Sequence, residues 1–259
     1  IYSPWVNALK ASPDYAIYES EGVYNKVNAS LYNPVNLTEN QEQDTKKYRA
    51  LVSLKGDINI LPGLDYHIGL SGDYNILHEY GYFPANSIQG ETSKGESSDY
   101  RGFSFTQLIE HTFTYSHSWG NLKLNALAGY SYQKTKLDNA NVSGINFLSP
   151  SLKYLISAGE INGGSSYVEE NALQSLFSRF NINYKDRYLL EFSIRSDASS
   201  KFSKSNRVGY FPAASAGWRI SDEKWFPSAC KAISDLKLRA SIGLTGNQEG
   251  IGSYAYQSI

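Results

Sequence analysis

The chain carries one cysteine, Cys230, among 259 residues. No intrachain disulfide and no cysteine-based metal site can be built on it. Methionine is absent even at position 1, and Ile1-Tyr2-Ser3 is no signal peptide. The chain therefore reads as a processed or partial piece of a longer protein, and the missing leader does not argue for the cytoplasm. Charge of one sign is lacking too: 24 Lys and Arg stand against 25 Asp and Glu, a net −1. That excludes a basic nucleic-acid surface and a polyacidic tail. No apolar run approaches the ~20 residues of a membrane helix. A helical span is excluded, but a membrane barrel is not, since barrel strands hide their hydrophobicity in alternation.

What the sequence has in quantity is tyrosine. Aromatic residues make up 14%, with 21 Tyr against 11 Phe, and Tyr suits a boundary where one end is apolar and the other wet. It also has alternation. In Tyr188, Leu190, Phe192 and Ile194 the even positions are apolar, while Leu189, Glu191, Ser193 and Arg195 between them are mostly polar. A period of two predicts a β-strand with different surroundings on its two faces. Eight such segments can be marked, at about 48–61, 64–77, 106–118, 121–136, 172–184, 187–197, 210–220 and 235–245. Ten or more residues is long for a globular strand but suits a tilted bilayer crossing.

The connections alternate as well. Turns at 62–63, 119–120 and 185–186 are tight, whereas 78–105, 137–171 and, less so, 198–209 are long. Short turns on one side and long loops on the other mark an outer-membrane barrel with its loops outside the cell. The segment 221–234 is a longer connection on the turn side, with a short helix expected around Asp222–Trp225. Tyr115, Trp119, Tyr184, Tyr188 and Trp218 gather near the turns, as an interfacial girdle would. The fold class predicted is all-β, a transmembrane antiparallel β-barrel. Alternation with one polar face also describes a soluble antiparallel sandwich or barrel, and pattern alone leaves that reading open.

Motifs add to the pattern. The runs SLFSRFNINYKDRYLLEFSIRSDASSKF (175–202), NRVGYFPAASAGWRISDEKWF (206–226) and LKLRASIGLTGNQEGIGSYAY (236–256), with NPVNL at 33–37 upstream, resemble the SusC/RagA family of TonB-dependent outer-membrane transporters. The resemblance covers nearly the whole chain and is densest after residue 170. Two positions depart from the family pattern: Ala198 stands where a Gly is usual, and Lys201 where an Arg is usual. Lys201 keeps the charge but loses the bidentate fork.

The resemblance implies a barrel of about 22 strands with a plugged lumen, of which the eight strands here would be roughly a third. Residues 1–47 would be an extracellular loop region and 48–259 barrel strands and loops. The plug is not in this chain. The implied location is the bacterial outer membrane, as a multi-pass barrel in contact with its lipid. The implied partners are a SusD-like surface lipoprotein acting as lid and TonB, reached through segments absent here. No nucleic-acid partner is implied.

The sequence carries no enzyme motif. The run 243–250 lacks both the G-x-G-x-x-G spacing and the Lys-Ser/Thr ending of a phosphate loop and reads as a flexible outer loop. Gly69-Leu70-Ser71-Gly72 is no nucleophile elbow. His67, His78, His111 and His117 form no H-E-x-x-H, and His111 and His117 lie too far apart along a strand to share a metal. No catalytic residue, metal site or cofactor is expected.

The expected working surface is the polar face, with Lys123, Glu191, Arg195, Lys237 and Arg239 toward the lumen. Leu122, Leu124, Tyr130, Leu190, Ile194, Leu238 and Ile242 should face lipid. Mixed charge suits a neutral, hydrogen-bonding cargo better than an ion. On the long loops, Tyr80, Tyr82 and Phe83, with Tyr100, Arg101 and Phe103, are the candidates for contact with cargo or lid. Mutual packing of the loops is the competing explanation. The expected function is import of a bulky nutrient, foremost an oligosaccharide. Import of a peptide or siderophore is the alternative, and ligand binding without transport the outside one.

Overall fold

A computed structural model describes residues 4–21, 23–25, 32–39, 41–87, 89–226 and 233–257. Cys230 lies outside the described residues. Two short helices, α1 (Pro4–Lys10) and α2 (Pro34–Glu39), bracket a small hairpin, β1 (Tyr18–Ser20) and β2 (Val23–Tyr24). Then come β3 (Glu42–Leu61), β4 (Leu64–Phe83), β5 (Glu96–Trp119), β6 (Leu122–Phe147), β7 (Ala158–Tyr184), β8 (Tyr188–Ser199), β9 (Val208–Arg219) and β10 (Lys237–Gly243). These eight form one sheet in which every strand pairs with its sequence neighbours, from β3 at one edge to β10 at the other. The sheet is a meander that does not close on itself.

The eight alternating segments are thus the eight strands, but several strands are longer than the alternation. β4 runs on to Phe83, β5 starts at Glu96, β6 reaches Phe147 and β7 starts at Ala158. Only 84–95 and 148–157 remain outside strands in what the sequence marked as the long loops 78–105 and 137–171. The reason is physical. Period two reports a regular difference in surroundings between two faces; in these extensions Tyr82, Ser97, Asn139 and Phe147 are buried by local packing, so the pattern fades while the backbone ladder continues. Near Asp222–Trp225 the described residues hold a 3₁₀ turn, Ile220–Asp222, and 227–232 lie outside the described residues.

The NPVNL segment has a clear local cause. Asn33 caps α2: its Oδ1 accepts from the backbone N–H of Val35 at 3.0 Å and of Asn36 at 3.4 Å. Pro34 follows at the first helical position, where its missing N–H costs nothing. The Asn33 amide also donates to the carbonyls of Ile17 (2.8 Å) and Asn25 (3.2 Å), tying the hairpin to the helix.

The tight turns are equally specific. Gly63 has φ +83, and a Cβ there would meet the Ser116 carbonyl oxygen at 2.4 Å. At 185–186 both central residues are left-handed, Lys185 at φ 55 and Asp186 at φ 56, the geometry of a type I′ hairpin turn. Neither is glycine, and partners hold them. Lys123 Nζ donates to the Asp186 carboxylate at 2.8 and 3.0 Å, and Asn183 at 2.8 Å. The Lys185 ammonium lies 5.0 Å from the centre of the Tyr184 ring.

The chain divides into two compact units. The first comprises 1–49, 74–104 and 137–168, the second 50–73, 105–136 and 169–259. The first has a small core of Leu37, Tyr82 and Phe147, with the Tyr82 and Phe147 rings edge to face at 5.3 Å. In the second, Phe226 is the one large apolar side chain buried among the described residues. Many of its apolar side chains stand exposed in rows, Ile194 at 49%, Leu238 at 61% and Ile242 at 80%. A soluble sandwich buries such rows against a second sheet, and soluble monomers rarely expose contiguous apolar patches beyond a few hundred Å².

Candidate functional site

Register converts alternation into two faces. Across β7, β8, β9 and β10 the pairings align Phe180, Phe192, Ala214 and Ile242 in one row, and Ile182, Leu190, Ala216 and Ala240 in the next. Tyr184, Tyr188, Trp218 and Leu238 end this apolar face at the turns. Glu223 sits beyond that aromatic row. It accepts from Tyr188 Oη at 2.7 Å, Trp218 Nε1 at 3.1 Å and Arg187 at 3.2 Å. The hydrogen bond from Tyr188, followed by that from Trp218, holds its carboxyl below the usual carboxylate range.

The opposite face is polar and internally bonded. Glu191 stands between Asn181 and Ser215, and Ser215 pairs on to Ser241. Arg195 donates to Asp197 at 2.7 and 2.9 Å and to Ser175 at 2.8 Å, its guanidinium 5.6 Å from the Phe177 ring centre. Lys237 pairs with Arg219, and Arg239 with Gly217. From β3 to β6 a ladder of side chains continues the face. Asn59 donates to Asp65 (2.7 Å), His67 lies between Asp57 (2.5 Å) and Thr114 (3.1 Å), and Asn125 donates to Ser116 (2.7 Å). Such networks satisfy polar groups locally without building a strong field of either sign.

Hollows indent this face. One of about 530 Å³ lies over Asn181, Glu191, Ser215, Lys237 and Arg239. Another of about 460 Å³ lies where Asp197, Arg207 and Phe211 meet residues 246–249. The second was not legible in the sequence, which marked 243–250 as a flexible loop. In the structure the Phe211 ring lies 2.4 Å from where a Cβ on Gly246 would be.

Of the residues expected on the polar face, Glu191, Arg195, Lys237 and Arg239 share its alternating rows by register, and Lys123 lies on the same side of its own strand as Asn125. The six loop candidates are not brought together as a set. Tyr80 donates to the Lys153 carbonyl at 2.8 Å, its ring 5.9 Å from Tyr154. Tyr82 is 2% exposed and packs in the first unit's core, with Phe83 next along the strand pointing the other way by alternation. Tyr100 donates to buried Asn139 at 2.9 Å. Arg101 pairs with Asp99 at 3.0 Å, and the Phe103 ring meets Tyr74 edge-on at 4.7 Å. Tyr80 and Tyr82 thus use their rings in packing.

His111 lies on the apolar face, its Nδ1 2.6 Å from the Tyr66 hydroxyl, which gives a polar atom on that side a partner. Among the described residues no group of His, Cys, Asp or Glu could hold a metal ion.

An antiparallel meander with one continuous apolar face and one polar, bonded face defines the wall of a transmembrane β-barrel. The chain belongs to the family described as TonB dependent receptor-like, beta-barrel, which it matches over residues 2–257. It is similar to TonB-dependent receptor P3 of Formosa agariphila, 30% identical over 252 residues, covering 93% of this chain and 24% of that protein. TonB-dependent receptor SusC of Bacteroides thetaiotaomicron is 42% identical over 92 residues, 36% of this chain and 9% of that protein. Among solved structures, the RagAB peptide importer in its open-open state superposes with a TM-score of 0.81 at 25% identity, covering 93% of this chain and 26% of that one. The chain spans about a quarter of the length of P3. The family's proteins sit in the outer membrane and are transporters and receptors rather than enzymes.

Proposed function

We propose that this chain is a section of the wall of an active importer for a bulky, neutral oligosaccharide. In this reading a SusD-like lipoprotein closes the outer mouth, and TonB supplies energy through parts of the protein outside this chain. The observation that carries the reading is the polar face: Lys123, Glu191, Arg195, Lys237 and Arg239 alternate with Asn, Ser and Gly. A wall of mixed charge and many hydroxyl and amide groups repels neither sign and offers hydrogen bonds to hydroxyl-rich cargo. The similarity to SusC over 92 residues supports the family side of this reading. A second reading, peptide import, is favoured by the likeness of fold to the RagAB peptide importer.

In this function the apolar rows face lipid, the polar rows face the lumen, and 84–95 and 148–157 lie outside the cell with the tight turns in the periplasm. Thiol labelling on intact cells checks the sidedness, in the full-length protein with Cys230→Ser. Asn139 is buried and would report poorly, so Ile156→Cys, 94% exposed, represents the outer side and Asn121→Cys the turn side. A membrane-impermeant reagent should label position 156 and spare 121. The reverse pattern would invert the topology.

Cargo class is tested by deleting the full-length gene and comparing growth on polysaccharides and on peptides as carbon source. Selective loss of growth on a polysaccharide supports the first reading. Selective loss on peptides replaces it with the second.

A further inference from the structure

After β10 the chain leaves the sheet and returns to it at a different strand. The Leu244 N–H donates to the Pro212 carbonyl at 3.0 Å, and among the described residues no backbone hydrogen bond joins 245–250 to any strand. The return is at β7. Buried Ser253 donates to Glu169 Oε1 and accepts from Asn171 Nδ2 at 3.2 Å, and the Glu170 N–H donates to Tyr254 Oη at 3.1 Å. The last β7–β8 pair is Leu173 with Ser199, so 169–171 lie where β8 has already stopped. Between the two anchors Gly246 meets the ring of Phe211, which pairs with Arg195 in a polar row. Residues 245–252 therefore form a strap across the polar face, from β10 to β7.

The strap is seated at a cost. With Asp197, Arg207 and Phe211 it borders a hollow of about 460 Å³, and surfaces facing each other across a gap forfeit mutual packing. Gln248 Oε1, carried by the strap itself, is shut off from solvent without a partner, as is Arg207 Nε in the same lining. Lifting the strap takes the Gln248 carbonyl into water, which relieves that desolvation. Gly250 has φ +81 with open space where a Cβ would stand, so glycine serves the backbone there and answers no crowding. Opposing these are the side-chain bonds at Ser253 and Tyr254 and the Phe211 contact at Gly246. They form a latch of few parts.

We propose, on the transport reading above, that residues 245–252 are a gate strap over the polar face, latched at Ser253 and Tyr254, that lifts to let bulky cargo pass. Its seat at β7 is made of side-chain hydrogen bonds and not of a strand ladder. Release therefore leaves the pairing of β7, β8, β9 and β10 untouched, and the wall stays closed to lipid while the strap moves. An element with two positions of similar free energy is one that a passing solute can shift, because contact with cargo favours the lifted position over the seated one.

Two measurements on the full-length protein test the strap. In detergent, hydrogen exchange over 245–252 should run about a hundredfold faster than in β8 and β9, since a locally held element opens without global unfolding. Ser253→Ala should speed that exchange and Gln248→Leu should slow it, each about tenfold, by removing a latch bond and an unpaired acceptor respectively. The second measurement locks the strap. In a Cys230→Ser background, Asn171→Cys with Ser253→Cys is oxidised on cells with copper phenanthroline, and uptake of fluorescent starch, xylan, mannan and inulin oligosaccharides and of octapeptides is followed. Oxidation should abolish the uptake that the reduced double variant shows, and dithiothreitol should restore it. Undiminished uptake by the oxidised protein would overturn the gate and leave the transport reading intact. A strap that exchanges as slowly as β8, or two thiols that do not join, would overturn it equally. If neither the wild type nor the reduced variant takes up any member of the panel, the transport reading and the gate fall together.

Discussion

Ala214→Arg should destabilise the full-length transporter by about 2–4 kcal/mol, while Ser215→Arg, one residue along the same strand, should cost little. Ala214 lies between Phe192 and Ile242 in an apolar row, four residues from the Trp218 aromatic border. That places it well inside the hydrocarbon layer, where a guanidinium has neither water nor an acceptor. Ser215 lies between Glu191 and Ser241 on the polar face, where an arginine finds a carboxylate beside it. Unfolding in urea after reconstitution into lipid vesicles measures both. Equal losses at the two sites would mean that the faces are not separated by solvent as the rows indicate.

Tyr82→Ala should cost about 3–5 kcal/mol of local stability, the usual range for removing a large buried ring. Tyr82 is buried against Phe147, so the loss should appear as faster hydrogen exchange through 84–95 and 148–157. Exchange in β8 and β9 should stay as it was, because a cost confined to one local cluster opens that cluster first. Tyr82→Phe is the control. The Tyr82 hydroxyl is buried without a partner, so removing it should be neutral or slightly stabilising. If Tyr82→Ala left exchange in both loops unchanged, the ring would not be holding them. This result bears on function as well: Tyr82 drops out of any set of rings free to touch cargo or lid, and Phe83, Arg101 and Phe103 become the better probes.

The sequence by itself determined the number and order of the strands of the large sheet and which residues share a side of each, but not the β1–β2 hairpin. Apolar and polar positions two apart, as in Leu190, Phe192 and Ile194 against Glu191, Ser193 and Arg195, suffice because a one-residue slip would turn every side chain to the wrong solvent. It also marked the turns: Gly63 supplies its positive φ locally, whereas Lys185 and Asp186 adopt positive φ with Lys123 of β6 holding the Asp186 carboxylate. Only the tertiary structure decided how far the strands extend beyond the alternating segments, because there burial comes from local packing, as at Tyr82, Ser97 and Phe147, and leaves no regular period of two. It alone decided that Tyr82 is core, which depends on Phe147 arriving from β6 sixty-five positions away. It alone placed Arg207 and Gln248 at one hollow, since which connections share a concavity is set by the register of the strands that carry them, and that register is not written in the order of residues along one strand.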